Sequence, residues 1–437
     1  MDDVIKEKVA QDSLLDGFVD QPAHQSAKFS QADLWLNTPL WAILTEGVAE
    51  HPNKVAVADA SGELSYQELL LAADQVAQGL QKAGLTAGDR VVCQVSNSVY
   101  FAEIFFALQR AGLVPVLALP AHGIVEISHF IKVSGAKAYF GSNLDNDGKA
   151  TRIADELSHQ FAELKHIYIV GDCGRYTSLP QGDGKRFIPE QPNPNHPALF
   201  LVSGGTTGLP KLIPRTHNDY RFNIQRCAAA SEFSSQEVYL AVLPAAHNFT
   251  LGCPGFLGAL DAGGTVIFSA DPSPDHCFEA IEQNKVTATA LVPALAQLWT
   301  AAKEWESADT SSVRVMQIGG SKLAYSDALD VQHAFPGALQ QVFGMAEGLI
   351  ACTRLGDDKE LVASKQGRPV SDWDEVCIVN EEGERVSMGK EGELLTRGPY
   401  TLRGYYRAES HNQHSFTQDG FYRSGDRAIV DEHGYIV

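Results

Sequence analysis

A glycine-rich stretch with two neighbouring hydroxyls and a lysine is the clearest candidate for chemistry in this sequence. It reads Ser-Gly-Gly-Thr-Thr-Gly-Leu-Pro-Lys over residues 203–211. Glycine allows positive φ and lets backbone N–H groups close on an anion, while the hydroxyls and Lys211 add further donors. This set of donors suits a polyphosphate, although a loop of the same composition can equally turn a corner without a ligand. The stretch is not a Walker loop, because G-x-x-x-x-G-K-[ST] cannot be aligned with it.

Two lone carboxylates further along the chain are the next candidates. Glu347 follows the predicted strand Leu339 to Phe343, in the run Gly-Met-Ala-Glu-Gly. Ligands bind at the carboxyl ends of strands in doubly wound sheets, and Mg²⁺ takes carboxylate together with phosphate oxygens. Glu347 can instead be a helix N-terminal residue that the helix dipole stabilises. Asp426 lies in Ser-Gly-Asp, a pattern that most often forms a turn.

The elements that must position these groups alternate between strands and helices. One helical stripe runs from Leu69 to Leu80 and ends at Gly84, and a second helix covers Val99 to Arg110. Such alternation predicts parallel sheets with helices on both faces. The predicted strands are Arg90 to Val95, Val114 to Leu119, Ala136 to Phe140, His166 to Val170, Pro197 to Val202, Tyr239 to Leu243, Thr265 to Phe268, Thr287 to Val292, Val313 to Ile318 and Leu339 to Phe343.

Composition along the chain predicts four segments. Residues 1–45 form an N-terminal arm, 46–215 a first α/β subdomain and 216–360 a second one. Residues 361–437 form a small distorted β-barrel, because short alternating runs there are separated by turn residues. The predicted fold class is therefore α/β, with two stacked, mostly parallel sheets, flanking helices and this barrel.

Charge and cysteine usage exclude several classes of function. The formal net charge of −20 argues against a nucleic acid or an anionic membrane as partner, because both require a basic surface. The sequence shows neither a signal-peptide pattern nor an apolar run long enough to cross a bilayer. The seven cysteines are scattered without C-x-x-C spacing, which indicates reduced thiols rather than disulfides or a zinc site. We therefore expect a soluble cytoplasmic protein.

Several motifs in order along the chain resemble those of adenylate-forming enzymes, the superfamily of acyl-CoA synthetases, luciferases and peptide-synthetase adenylation domains. Besides the glycine-rich loop, the matching segments are Leu-Ser-Tyr-Gln-Glu-Leu at 64–69, Gly-Gly-Ser-Lys-Leu at 319–323, Gly-Met-Ala-Glu at 344–347, Gly-Glu-Leu at 392–394 with Gly-Tyr-Tyr at 404–406, and Tyr-Arg-Ser-Gly-Asp at 422–426.

The resemblance implies ATP and Mg²⁺ as ligands and a role for each matching residue. Glu347 would hold Mg²⁺, and Asp426 would hold the ribose hydroxyls. Lys211, Glu347 and His247 would be the catalytic residues. The phosphates would lie on Ser203, Gly204, Gly205, Thr206, Thr207, Gly208 and Lys211, and the nucleotide's remaining contacts would come from Gly319, Gly320, Val342, Phe343 and Gly344, with Gly320 and Val342 against adenine.

A second set of residues is similar to the aryl-acid adenylating enzymes, the 2,3-dihydroxybenzoate–AMP and salicylate–AMP ligases of siderophore biosynthesis. These residues are the runs at 214–217, 247–249, 253–255 and 344–348. Amino-acid-activating domains have an Asp near this point, whereas Asn248 is neutral and suits a phenol. Alternatively, His247 and Asn248 only cap the helix that follows the predicted strand Tyr239 to Leu243. The substrate residues implied are His247, Asn248, Phe249, Cys253, Gly320, Ala346 and Ile350.

The resemblance implies ATP-dependent activation of 2,3-dihydroxybenzoate with release of pyrophosphate. Transfer to the phosphopantetheine thiol of an aryl carrier protein, as in non-ribosomal peptide synthesis, would follow. Cys253 and Ile350 favour salicylate instead. A thiol is a weak hydrogen-bonding partner for a 3-hydroxyl, and Ile350 is slightly bulkier than the valine that dihydroxybenzoate enzymes often have at this position. An aryl- or acyl-CoA ligase is a further alternative.

The superfamily pattern continues into a C-terminal lid domain that carries a catalytic lysine. The sequence ends at Val437, before the hinge of that domain. Without the lysine that stabilises transition-state charge, we expect residues 1–437 to act as a ligand-binding domain with little turnover.

Overall fold

The computed structural model describes residues 15–145, 147–184, 187–204 and 208–437. Its helices are α1 (Ala23–Gln31), α2 (Ala42–Glu50), α3 (Tyr66–Lys82), α4 (Val99–Arg110), α5 (Ile124–Ser134), α6 (Lys149–Gln160), α7 (His217–Ala230), α8 (Asn248–Gly252), α9 (Gly255–Asp261), α10 (Pro274–Asn284), α11 (Pro293–Ala302), α12 (Tyr325–Ala334), α13 (Lys359–Ser364) and α14 (Glu409–Ser415).

Its strands form three sheets. They are β1 (Val55–Asp59), β2 (Gly62–Ser65), β3 (Arg90–Gln94), β4 (Val114–Leu117), β5 (Ala138–Asn143), β6 (His166–Gly171), β7 (Pro197–Val202), β8 (Leu212–Thr216), β9 (Val238–Ala241), β10 (Thr265–Phe268), β11 (Ala288–Leu291), β12 (Val315–Gly319), β13 (Leu339–Gly344), β14 (Ile350–Cys352), β15 (Arg368–Pro369), β16 (Glu375–Val379), β17 (Gly392–Arg397) and β18 (Tyr422–Ala428).

The two large sheets are mostly parallel, as predicted. The six-stranded sheet has the order β6-β5-β3-β4-β7-β8, and its β7–β8 pair is antiparallel. The nine-stranded sheet has the order β15-β14-β13-β12-β11-β9-β10-β1-β2. Its six central strands are parallel neighbours, and antiparallel strands extend it at both ends. The crossover helices cover the faces of parallel strands, which explains the continuous apolar strands in the sequence.

One apolar core joins the two sheets. Phe101 and Phe105 of α4 pack edge-on against Phe256 of α9, with ring centroids 6.0 and 5.9 Å apart. Phe256 in turn packs against Phe268 of β10. The predicted stripe of α3, from Leu69 to Leu80, is buried in the same core, and the helix begins at a capping box of Ser65 and Glu68.

The sheets cross the predicted segment boundaries. β1 and β2 lie within residues 46–215, yet β1 pairs with β10 in the nine-stranded sheet. The division into four segments therefore stays a prediction about domains and does not describe sheet membership. In the N-terminal arm, Phe29 and Trp35 are buried in the core, and helix α1 forms where the sequence pattern indicated none.

The predicted barrel at 361–437 is an open sheet in the described chain. β16, β17 and β18 form a three-stranded antiparallel sheet with β17 in the centre. The two edge strands, β16 and β18, do not pair with each other, whereas a closed barrel requires its first and last strands to pair. Within the described ranges, no helix combines the length and apolar character needed to span a bilayer.

Candidate active site

The ends of two parallel strands form the first part of the site. β12 and β13 pair in register with Gly319 beside Val342, and both strands end at the same edge of the sheet. A cleft of about 310 Å³ opens there. Its lining includes Gly320, Val342, Phe343, Gly344 and Asp426. The structure therefore brings together most of the residues predicted to surround the nucleoside, with the predicted ribose carboxylate across the cleft.

A second, larger cleft of about 570 Å³ contains the described ends of the glycine-rich loop and both lone carboxylates. It is lined by Ser203, Gly204, Gly208, Lys211, Glu347 and Asp426, among others. The ends of the loop are tied together, because the Lys211 N–H donates to Ser203 Oγ and the Ser203 N–H donates to the Lys211 carbonyl, both at 2.9 Å. The predicted phosphate contacts of Gly205, Thr206 and Thr207 lie outside the described residues.

Glu347 lies in the turn between β13 and β14, so the alternative that it begins a helix is wrong. The Tyr405 hydroxyl donates to Glu347 Oε1 at 2.8 Å and lies 2.9 Å from the Tyr422 hydroxyl. Lys211 Nζ lies 5.7 Å from the centre of the Tyr405 ring. Burial raises the pKa of Glu347, and the Tyr405 hydrogen bond together with nearby cationic charge offsets part of that rise.

The surroundings of Glu347 suit a hard cation that shares its ligands with phosphate groups. Mg²⁺ is commonly bound through one or two carboxylates plus substrate phosphates. Among the residues that the structure describes, no three His, Cys, Asp or Glu side chains gather into a metal site of their own. Glu347 therefore fits a shared Mg²⁺ site and not a site made by protein ligands alone.

Residues predicted for the aryl pocket lie on α8 and at its C-terminal end, next to α7. The Tyr220 hydroxyl donates to Asn248 Oδ1 at 3.0 Å, and Asn248 Nδ2 donates to Cys253 Sγ at 3.4 Å. Asn248 and Phe249 are each 7% exposed and Cys253 is 2% exposed. The Asn248 amide is thus held in one orientation inside a nearly dry environment.

The sequence left open whether His247 and Asn248 cap a helix or line the aryl pocket, and the two residues differ in this respect. His247 Nδ1 accepts the Phe249 N–H at 3.2 Å, so His247 does cap α8. The Asn248 side chain does not cap the helix and instead joins Tyr220 to Cys253. Burial lowers the pKa of His247, which favours the neutral imidazole.

The aryl side and the nucleotide side share a wall. A Cβ built on Gly319 would lie 3.2 Å from Phe249 Cζ, and one built on Gly344 would lie 2.6 Å from Ile350 Cδ1. These glycines therefore allow the side chains of Phe249 and Ile350 to approach the strand ends. Ala346 follows in the same turn as Glu347. All seven predicted substrate residues consequently lie around one end of the nine-stranded sheet.

Five residues of the site were not predicted to take part. Tyr405 and Tyr422 lie inside two of the family motifs, Gly-Tyr-Tyr at 404–406 and Tyr-Arg-Ser-Gly-Asp at 422–426. Their place in these motifs could have identified them as site residues. Arg215, which donates to the Ala346 carbonyl, lies in the run at 214–217. Nothing in the local pattern distinguished Tyr220, or Tyr400, whose hydroxyl accepts the Ile350 N–H. All five act through contacts with residues distant in sequence.

Comparison with known proteins agrees with this geometry. The model of the AMP-binding enzyme family matches residues 44–406. The salicyl-AMP ligase / salicyl-S-ArCP synthetase of Mycobacterium tuberculosis is 47% identical over 436 residues, which cover 98% of this chain and 77% of that protein. The vibriobactin-specific 2,3-dihydroxybenzoate-AMP ligase of Vibrio cholerae is 42% identical over 424 residues, covering 96% and 78%.

A solved structure extends the comparison to three dimensions. The apo structure of MbtA from Mycobacterium smegmatis matches with a TM-score of 0.91 and 44% identity, covering 96% of this chain and 79% of that one. The family model spans most of the residues that form both sheets and the two clefts. The chain therefore belongs to the AMP-binding enzyme family, the adenylate-forming superfamily that its motifs resemble.

Proposed function

We propose that the protein activates an aromatic acid bearing an ortho hydroxyl by joining it to AMP. A carboxylate oxygen of the acid attacks the α-phosphorus of ATP, and the bond from that phosphorus to the bridging oxygen of the β-phosphate breaks. The products are the aryl adenylate, a mixed anhydride, and pyrophosphate. The observation that carries the proposal is the buried, oriented amide of Asn248 beside Phe249.

The hydrogen bonds of Asn248 define what the pocket offers to a ligand. Tyr220 occupies Oδ1, and one N–H of Nδ2 points to Cys253. An amide nitrogen carries two N–H groups, so one donor remains. A phenolic oxygen can accept this donor while its own O–H turns to the neighbouring carboxylate of the acid. An ammonium group, as in an amino acid, would find no anionic partner in the Asn248 side chain.

The nucleotide side supports ATP and Mg²⁺ as the second pair of ligands. Glu347 would hold Mg²⁺, which when bound neutralises charge on the phosphates. Ser203 and Lys211 would contact the phosphates, and Asp426 the ribose. Lys211 and Glu347 line the same cleft, so a cation and an anion can both be accommodated there. His247, neutral because its burial lowers its pKa, would lie next to the acid's carboxylate.

The identity of the acid is the finer part of the proposal. The sequence-based prediction of 2,3-dihydroxybenzoate remains a prediction, since relatives named for that acid and for salicylate are both similar to this chain. Salicylate is the second candidate, and the buried Cys253 thiol favours it. The 3-hydroxyl of 2,3-dihydroxybenzoate would lose its water on binding, and a thiol is a poor replacement partner. A buried hydroxyl that stays unpaired costs about 1–3 kcal/mol.

The later steps belong to the same proposal. The aroyl group of the adenylate would pass to the phosphopantetheine thiol of an aryl carrier protein in siderophore biosynthesis: the thiol sulfur bonds to the carbonyl carbon, the bond from that carbon to the phosphate oxygen breaks, and AMP leaves. The name of the Mycobacterium tuberculosis relative includes such a carrier-linked product, which supports this acceptor over CoA. Assaying both acceptors with the same adenylate would separate the carrier-dependent ligase from an aryl-CoA ligase.

Binding of a series of acids to residues 1–437 tests the proposal. We expect salicylate and 2,3-dihydroxybenzoate to bind at least about tenfold more tightly than benzoate by calorimetry, because benzoate leaves the Asn248 donor unpaired. Equal affinity for benzoate would contradict the proposed pocket. Cys253→Ser should shift preference toward 2,3-dihydroxybenzoate, whereas the control Cys277→Ser, a buried cysteine beside Asp271, should not.

A further inference from the structure

We infer that Arg215 and Tyr400 are positioning residues that fix the two ends of the turn at 346–350. This turn carries Glu347 at one end and Ile350 at the other, so it belongs to the nucleotide side and to the aryl pocket at once. The inference rests on the proposed function, because that function gives Glu347 and Ile350 their ligands. To the proposed function the inference adds a clamp, defined as Arg215 and Tyr400, that fixes the positions of Glu347 on the nucleotide side and Ile350 on the aryl side.

Arg215 holds the first end of the turn. The side chain is 1% exposed, and its Nη1 donates to the Ala346 carbonyl at 3.0 Å. Its Nε donates to Asp219 Oδ1 at 2.8 Å, and its Nη2 donates to the Tyr400 carbonyl at 3.3 Å. The planar guanidinium is suited to this task because it presents several donors in a fixed fork. The peptide next to Glu347 is thus tied to β8, α7 and the 398–402 segment.

Tyr400 holds the second end of the turn through its hydroxyl. That hydroxyl donates to Asp374 Oδ2 at 2.6 Å and accepts the Ile350 N–H at 3.3 Å. Donation to Asp374 fixes the direction of the O–H bond and leaves a lone pair toward Ile350. Because Tyr400 also accepts from Arg215 through its carbonyl, one residue connects the two ends of the clamp.

The middle of the turn lies against the same segment. The Leu402 N–H donates to the Glu347 carbonyl at 2.8 Å. A Cβ added to Gly348 would lie 3.0 Å from Thr401 Cα, so the turn and the segment are in close contact. Residues 398–402 therefore form a platform under the turn, and a shift of the platform would move Glu347 and Ile350 together.

Arg215 also contacts the residue that orients Asn248, which the Tyr400 hydroxyl does not. Its guanidinium lies 4.7 Å from the centre of the Tyr220 ring, and Tyr220 orients the Asn248 amide. Loss of the guanidinium fork should therefore disturb both sides of the site. Loss of the Tyr400 hydroxyl should disturb only the Ile350 end, since the carbonyl that accepts from Arg215 is retained. The two substitutions thus predict different patterns, which a general loss of stability would not produce.

The test measures two affinities on residues 1–437: that for salicylate, and that for α,β-methylene ATP with Mg²⁺, which cannot be cleaved between its α- and β-phosphates. Tyr400→Phe should weaken salicylate about tenfold and leave the nucleotide unaffected, as expected for one buried hydrogen bond. Arg215→Lys should weaken both ligands. The matched control is Tyr406→Phe, which removes a buried hydroxyl that has no partner among the described residues.

The outcomes separate the clamp from the function beneath it. If the unaltered protein binds salicylate but Tyr400→Phe leaves its affinity at the level of Tyr406→Phe, the clamp is overturned alone. Equal loss of both ligands in Tyr400→Phe also contradicts it, because the selective pattern is then absent. If the unaltered protein does not bind salicylate, the proposed function fails first and the clamp with it. Should Arg215→Lys not fold, the split measured in Tyr400→Phe decides by itself.

Discussion

The aryl side and the nucleotide side of the site satisfy their polar groups in opposite ways. Around Asn248 the partners come from the protein itself, since Tyr220 and Cys253 hold the buried amide in place. Around Glu347 and Lys211 the chain forms an open cleft, in which Asp426 is exposed. The first side leaves one N–H donor of the Asn248 amide for a ligand, whereas the second leaves charges for phosphate and cation to complete.

This difference indicates how each side would discriminate among ligands. A fixed, desolvated amide rejects a wrong acid through the cost of unpaired polar groups, which is high in a dry pocket. An open, charged cleft attracts phosphates by electrostatics, which is strong but less selective. We therefore expect substitutions on the nucleotide side to reduce affinity most, and substitutions on the aryl side to change selectivity most.

The largest expected effect is that of Glu347→Gln on nucleotide binding. Residues that merely support a metal ligand contribute about 10–100-fold in metal affinity, so loss of the ligand itself should cost at least about 100-fold in Mg²⁺-dependent ATP affinity. Salicylate affinity, measured by calorimetry without nucleotide, should stay unaltered. The control Glu393→Gln removes a carboxylate that lines the same cleft but pairs with Arg423, and it should have a much smaller effect. Equal effects of both substitutions would contradict a special role for Glu347.

The next effect is that of Asn248→Asp on the aryl side. An added carboxylate would face a neutral phenol in a dry pocket, and leaving such groups unpaired costs about 1–3 kcal/mol, so salicylate should bind about tenfold more weakly or worse. 2-Aminobenzoate should lose much less, because its N–H groups can donate to Asp. Affinity for ATP serves as the internal control. An unchanged ratio of salicylate to 2-aminobenzoate affinity would show that Asn248 does not contact the ortho substituent.

A smaller effect is expected for Tyr405→Phe, which removes the hydroxyl that donates to Glu347. Supporting hydrogen bonds orient metal ligands, and their loss costs about tenfold or more in metal affinity. The Mg²⁺ concentration required for half-maximal ATP binding should therefore rise, with salicylate affinity unaffected. Tyr406→Phe is the matched control, because it removes a neighbouring hydroxyl for which the described part of the chain offers no partner. If both variants require the same Mg²⁺ as the unaltered protein, Tyr405 does not support the cation site.

The smallest effect concerns stability and its dependence on pH. Burial raises the pKa of Glu347 above the ordinary 4.5. Between 4.5 and the folded-state pKa the folded protein therefore binds more protons than the unfolded chain, so this group lowers the free energy of unfolding as pH rises. In the absence of Mg²⁺, Glu347→Gln should be more stable than the unaltered protein at pH 7, and the gap should shrink toward pH 4.5. Urea unfolding at both pH values measures it, and a destabilised variant at pH 7 would contradict burial as the cause.

Local signals predicted much of the scaffold. Helix α4 and strands β7 and β10 have the predicted bounds, because apolar runs and caps such as Ser98 act within a few residues. The prediction of a barrel at 361–437 was wrong, and helix α1 was not predicted. Strand pairing across an edge and docking of an arm depend on surfaces contributed by distant parts of the chain.

The sequence by itself determined which chemical groups are present and which strand ends carry them. The glycine-rich loop follows β7, and Glu347 follows β13, because chain order alone places a loop after its strand. It also pointed to the family, since its motifs resemble those of the superfamily to which the family model and the relatives assign the chain.

Only the tertiary structure decided which of these groups are free to act. Glu347 meets Tyr405 across 58 residues, and Arg215 meets Ala346 and Tyr400 across 131 and 185 residues. One N–H of the Asn248 amide is left for a ligand, because the amide oxygen accepts from Tyr220 and the other N–H donates to Cys253. Hydrogen-bond capacity is a property of residue type, but the share left for a ligand depends on neighbours in space, which sequence spacing does not encode.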